Sequence, residues 1–172
     1  MIKLLVIDVD GTLTDGKIIY SYTKDDHQEV LKESKEFDVK DGLAIAVWTK
    51  KLGLKAAIIT GRKSKVVEHR AKELGITHLY QGIDNKLEVL EDIISKEGIL
   101  YTEVAGIGDD LNDYQMLNRV GLSFCPNDAS EYIQEIVDIV CKNKGGSGAV
   151  REMIEYICKQ YNLEEQFLKA WL

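Results

Sequence analysis

Two aspartates, Asp8 and Asp10, follow the apolar run Leu4-Leu5-Val6-Ile7 and precede Gly11-Thr12-Leu13-Thr14. An unbroken run of Leu, Val and Ile reads as a strand buried on both faces, and Gly11 ends it. The carboxylates then stand at the carboxyl end of a central strand, where open α/β sheets bind their ligands. Residues two apart on a strand project to the same face. Two like charges so placed repel unless a proton or a cation joins them. Carboxylate oxygens suit Mg²⁺. An Asp pair that merely caps the next turn is the plain alternative. The Gly-Thr sequel, directly after a buried strand, favours chemistry.

Three later clusters fit the same pattern. Thr60-Gly61-Arg62 ends the apolar run 54–60, and Lys86 lies just beyond a short run at 76–80. Asp109-Asp110-Leu111-Asn112-Asp113 ends the run 104–108. Parallel strands would bring all these ends to one edge of a sheet. Acids for a metal, a hydroxyl followed by glycine, and one lysine suit phosphoryl transfer, where the work is positioning and charge stabilisation. Each residue alone has a plainer reading. Thr60 could be a strand-end hydroxyl, Asp109 a helix cap, and Asp110 a ligand, a support or a cap. Lys86 could be a solvated lysine, although a helix start is a poor place for a cation unless it faces an anion.

Helices must connect these strands. Segments 43–52, 64–74, 86–96 and 129–136 keep helical spacing, and Gly53 and Gly75 stop the first two. Asp38 or Asp41 could cap the first helix. Runs 121–124 and 139–140 read as a fifth strand and a last edge element, with Pro126 forcing a loop after the former. Strands alternating with helices predict a three-layer, Rossmann-like α/β fold with a largely parallel sheet, spanning 1–172 as one domain. Residues 16–35 read as a projecting β-hairpin with uncovered apolar residues, expected to pack on another subunit. His27 at its tip is expected to be solvated. Gly145-Gly146-Ser147-Gly148 reads as the most flexible stretch of the chain. An amphipathic helix follows it, with Val150, Met153, Ile154, Ile157 and Cys158 on one face. The apolar end, 167–172, is expected to dock on this subunit or a neighbour.

Composition narrows the partners. The 172 residues carry a formal net charge of −7, against which nucleic acid and anionic membrane are poor partners. No apolar stretch approaches the ~20 residues needed to span a bilayer. No signal peptide is evident at the N-terminus. The three cysteines, Cys125, Cys141 and Cys158, form no metal-ligand spacing and read as reduced core thiols of a cytoplasmic protein.

Asp8-Val9-Asp10-Gly11-Thr12 resembles the first motif of the haloacid dehalogenase-like phosphotransferases. Thr60, Lys86 and Asp109 to Asp113 match the family's later motifs in order. The resemblance implies Asp8 as a nucleophile forming an aspartyl-phosphate. It implies Asp10 as acid and then base. Thr60 and the Gly61 amide would hold phosphate oxygens, and Lys86 would neutralise charge. Mg²⁺ would lie between Asp8, the Asp10 carbonyl and Asp109, with Asp113 and Asp110 in support.

Too few residues separate Asp10 from the first core helix for a cap domain. Several stretches resemble one capless subgroup, the 3-deoxy-D-manno-octulosonate 8-phosphate phosphatases. They are Phe37-Asp38-Val39-Lys40-Asp41-Gly42, Ile59-Thr60-Gly61-Arg62-Lys63, residues 75–82, Asn85-Lys86 and Gly145 to Glu152. That subgroup implies a homotetramer in which a neighbouring subunit covers each active site. Its substrate, a small phosphorylated sugar acid, carries a carboxylate, and Arg62 and Arg70 are candidates to bind it. Arg151 could reach a neighbour's site. A nine-carbon acid sugar 9-phosphate is the alternative substrate. A phosphorylation-switched receiver domain is the alternative from another class.

Overall fold

A computed structural model describes residues 1–25 and 28–170. Its centre is a six-stranded parallel sheet in the order β5-β4-β1-β6-β7-β8. The strands are β1 (Leu4–Ile7), β4 (Lys55–Thr60), β5 (His78–Gln81), β6 (Val104–Ile107), β7 (Leu122–Cys125) and β8 (Ile139–Val140). The helices are α1 (Val39–Ala46), α2 (Lys65–Leu74), α3 (Lys86–Glu97), α4 (Tyr114–Leu117), α5 (Glu131–Gln134), α6 (Ala149–Gln160) and α7 (Glu164–Lys169). Alternate residues of β1 feed two apolar layers. Leu5 and Ile7 pack with α1, α2, α6 and α7 residues such as Ile45, Val67, Ile154 and Phe167. Leu4 and Val6 pack with Leu90, Met116 and Ile133 of α3, α4 and α5. The expected three-layer α/β arrangement is therefore present, with β1 buried on both faces, each such side chain worth about 1.5–3 kcal/mol relative to exposure. None of the described helices is long and apolar enough to cross a membrane.

The hairpin is a separate antiparallel ribbon of β2 (Ile19–Asp25) and β3 (Gln28–Ser34). Ile19, Tyr20, Tyr22, Val30 and Leu31 stay exposed on it, as expected of a ribbon without cover in its own subunit. Two strands alone are marginally stable in water. The expectation for His27 lies outside the described residues.

Several details differ from the sequence reading. The first helix begins at Val39, where Asp38 accepts the Lys40 N–H at 2.7 Å, and widens after Ala46 into a π-type turn, Val47–Lys51. That turn buries Trp48, whose Nε1 donates to the Lys55 carbonyl at 2.9 Å. Asp41 does not cap its own helix. Its buried carboxylate accepts the Gly148 and Arg151 N–H groups at 3.1 and 2.8 Å, so it caps the start of α6 instead. Helix 129–136 shortens to Glu131–Gln134.

The glycine-rich segment is not a loose tether. The Gly146 N–H donates to the Thr12 carbonyl at 3.0 Å, and the Gly145 N–H to Asp128 at 2.9 Å. A Cβ on residue 145 would stand 1.9 Å from the Gly11 carbonyl oxygen. Glycine here allows two backbones to touch, which composition alone reads as flexibility. Phe167 docks at the core edge, while the last two residues lie outside the described chain. All three cysteines are buried and free, and burial pushes their thiols up to about 11, 12 and 11 in chain order.

Candidate active site

β1 ends at Ile7, so Asp8 and Asp10 do not lie on a strand. The chain turns through Val9–Leu13, with Asp10 extended and Gly11 at φ 95°. A side chain on residue 11 would strike the Asp109 carboxylate, so glycine is required by both conformation and space. Within this turn the two aspartates meet different partners.

Asp8 is buried at 3% exposure. Lys86, the first residue of α3, is 2% exposed and donates to Asp8 Oδ1 and Asp113 Oδ1, each at 2.6 Å. The helix start that makes a poor home for a solvated cation thus delivers this one to two carboxylates. Asn85 accepts the Glu88 N–H at 3.4 Å, leaving Lys86 as the inward-facing residue of the first turn. Asp109 receives the Thr12 hydroxyl at 3.2 Å, and its N–H donates to Asp113 Oδ2 at 3.3 Å.

Carboxylate oxygens of Asp8, Asp109 and Asp113 lie within 4.8 Å of one another. Three acids therefore crowd around one buried ammonium. Burial, then the Asp113 charge, drives the Asp8 carboxyl well above the usual carboxylate range, with Lys86 opposing. Burial and Asp113 push Asp109 up to about 6, and burial raises Asp113. Burial works against charge on Lys86, yet Asp8 and Asp113 outweigh it and leave its pKa raised. A divalent cation among these oxygens would remove the excess negative charge, so the donor set fits a hard, oxygen-seeking ion.

Asp10 is partly open and meets a different group. Lys35, whose side chain is 0% exposed, pairs with Asp10 Oδ1 and lies 3.9 Å from Glu33. Arg62 donates to the Tyr20 hydroxyl at 2.8 Å and to Glu33 at 3.2 Å, and its Nε stands 4.0 Å from Asp10 Oδ2. Sequence reasoning assigned Lys35 and Thr12 no role. Thr12 lies inside the first motif and could have been found there. Lys35 sits in a charged stretch with no motif, and only the fold brings it to Asp10.

Thr60, at 2% exposure, ends β4 beside β1, with exposed Gly61 following it. Asp110 is exposed and accepts the Leu111 N–H at 2.8 Å, as a cap does. Arg70 bonds Glu73 at 2.8 Å and lies over the Phe37 ring at 5.6 Å. Arg151 bonds Glu155 on its own helix at 2.6 Å.

The family model for haloacid dehalogenase-like hydrolases matches residues 78–154. The 3-deoxy-D-manno-octulosonate 8-phosphate phosphatase of Escherichia coli K12 is 43% identical over 156 residues, covering 91% of this chain and 79% of that protein. The corresponding phosphatase of Moraxella catarrhalis, solved in complex with a magnesium ion, a phosphate ion and a KDO molecule, superposes with TM-score 0.89 at 40% identity. That match covers 99% of this chain and 94% of the other. The cobalt-bound Haemophilus influenzae phosphatase gives 0.83 at 32% identity, covering 97% and 96%.

Proposed function

The chain belongs to the haloacid dehalogenase-like hydrolases and, within them, to the 3-deoxy-D-manno-octulosonate 8-phosphate phosphatases, and on that premise we propose that it hydrolyses this sugar-acid phosphate with Mg²⁺. The single observation that carries the chemistry is the buried Asp8–Lys86–Asp113 cluster beside Asp109. Asp8, Asp109 and the Asp10 carbonyl are the groups that would hold the ion, and Asp113 fixes Lys86. When bound, Mg²⁺ supplies charge neutralisation for the phosphoryl group and the crowded acids.

The residues of the chain divide the work as follows. An Asp8 oxygen attacks phosphorus, the ester P–O bond breaks, and its electron pair goes to the leaving oxygen. Protonated Asp10 gives that oxygen a proton, so the sugar acid leaves as an alcohol and Asp10 becomes a carboxylate. Asp10 then takes a proton from water, whose oxygen attacks phosphorus. The P–O bond to Asp8 breaks, its electrons return to the Asp8 carboxylate, and inorganic phosphate departs. Asp10 ends protonated, ready for the next ester. Thr60 and the Gly61 amide hold phosphoryl oxygens, and Lys86 keeps Asp8 and its phosphoryl adduct charge-balanced. Arg62 faces the sugar carboxylate.

The whole chain acts as one hydrolase domain. We place it in the cytoplasm, a reading supported by three free buried thiols. It works as a homotetramer whose neighbouring subunit covers the site, a reading supported by the exposed apolar hairpin and by the need to exclude water.

The test is phosphate release from a panel of sugar phosphates, with Mg²⁺ and with EDTA. Preference for the eight-carbon ester, lost in Asp8→Asn, is the expected result. Preference for a nine-carbon acid sugar 9-phosphate keeps the mechanism and overturns the substrate. A long-lived phosphoaspartate with no turnover points instead to a receiver module. Tetramer formation is checked separately by sedimentation.

A further inference from the structure

Lys35 directly follows β3, at the base of the hairpin, and its side chain is fully removed from solvent. Burying an ammonium sacrifices hydration and side-chain freedom, so an adventitious surface pair is a poor account of it. Its partner is not a core acid. Asp10 keeps 20% side-chain exposure. The ammonium takes Oδ1, which leaves Oδ2 as the oxygen on the side of Arg62.

Burial separates Lys35 from a substrate-binding cation, because its side chain is 0% exposed while that of Arg62 keeps 43%. Lys35 and Arg62 face Asp10 and Glu33, two cations against two carboxylates. Glu33 lies between the two cations, 3.9 Å from Lys35 and 3.2 Å from Arg62. This contrasts with the three-acid cluster around Lys86, which invites a further cation. The Lys35 ammonium fixes a side chain that no backbone N–H holds among the described residues.

We propose that Lys35 is the positioning residue of the acid–base step, its buried ammonium anchoring one Asp10 oxygen so that the other faces the leaving oxygen and then the attacking water. The proposal rests on the assignment of Asp10 as acid and base. It also ties chemistry to the hairpin, because the residue that aims Asp10 is carried by the end of β3.

The choice of substrate makes this testable. p-Nitrophenolate leaves without a proton, so attack by Asp8 on p-nitrophenyl phosphate needs no acid. Hydrolysis of the resulting aspartyl-phosphate still needs Asp10 aimed at water. Lys35→Met is therefore expected to release a burst of about one p-nitrophenol per subunit, then turn over at least about ten-fold more slowly than wild type. On the sugar-acid phosphate it shows low kcat and no burst, since the first step itself needs the acid. Lys35→Arg restores steady turnover without a burst. Lys35→Gln serves as a second variant with a polar tip if the Met protein does not fold. Slow turnover without a burst on p-nitrophenyl phosphate overturns the proposal. So does unchanged kcat with a raised KM for the sugar acid alone, which would make Lys35 a substrate contact. Failure of the wild type to release phosphate in an Asp8-dependent way would instead overturn the proposed function.

Discussion

Asp8 and Asp10 are two residues apart and live in opposite surroundings. Asp8 is sealed beneath the sheet edge, with Lys86 and Asp113 brought to it by α3 and the loop after β6. Asp10 is partly open, and its partners come from the end of a two-stranded ribbon and from the loop after β4. The first group has more acid than base and is incomplete without a cation. The second is balanced. A nucleophile needs a fixed, low-dielectric seat, and the position just past the end of a doubly buried parallel strand provides one. A proton shuttle must meet leaving group and water in turn, so it sits where the site opens.

The largest test of this contrast removes the nucleophile. Asp8→Asn is expected to lower phosphate release by about a thousand-fold or more, while circular dichroism and melting report an intact fold. Retained turnover would move the nucleophile elsewhere. Next comes the buried cation. Lys86→Met strands Asp8 and Asp113 and is expected to cost about 3–5 kcal/mol of metal-free stability in urea titrations. A change below about 1 kcal/mol would mean that the acids are not held by Lys86.

The charge excess also sets a pH dependence. Asp109 is raised from 3.8 to about 6 in the folded chain, so the folded state binds more protons than the unfolded one across that window. Its contribution is present below about pH 4 and is lost as pH rises through about 6. In EDTA, melting temperature should therefore fall through this range, and Asp109→Asn should flatten the curve. Mg²⁺ should flatten it too; an unchanged slope with Mg²⁺ would argue against these oxygens as its seat.

On the Asp10 side, Arg62→Ala should raise KM for the sugar acid by about ten-fold and much less for p-nitrophenyl phosphate. Equal effects on both would assign Arg62 to Asp10 and Glu33 alone. The smallest effect belongs to Arg70, outside both groups. Arg70→Met should cost about 1 kcal/mol or less, from its contacts with Phe37 and Glu73, with kcat/KM unchanged. A clear loss of activity would return Arg70 to the site.

Much of the sheet was legible because β1, β4 and β6 are apolar runs closed by polar residues, a pattern that buried parallel strands impose. Chain direction then dictates that Asp8, Thr60 and Asp109 meet at one edge. Helix ends were less legible. The turn Val47–Lys51 buries Trp48, and ahead of α5 the Ala129 N–H is spent on the Pro126 carbonyl in a turn. The misreading of the glycine-rich segment has the same origin, since glycine serves both flexibility and close backbone contact.

The sequence by itself determined the fold class and the residues of the buried cluster, because strand burial and parallel order fix where strand-end side chains must lie. It also determined that Lys86 needed an anion at its helix start. Only the tertiary structure decided which carboxylate meets which cation. Asp8 meets Lys86 while Asp10 meets Lys35 from the ribbon, and Asp41 caps a helix more than a hundred residues away in sequence. Those pairings depend on the direction of a side chain after the chain has turned, and residue type and spacing do not encode that direction locally.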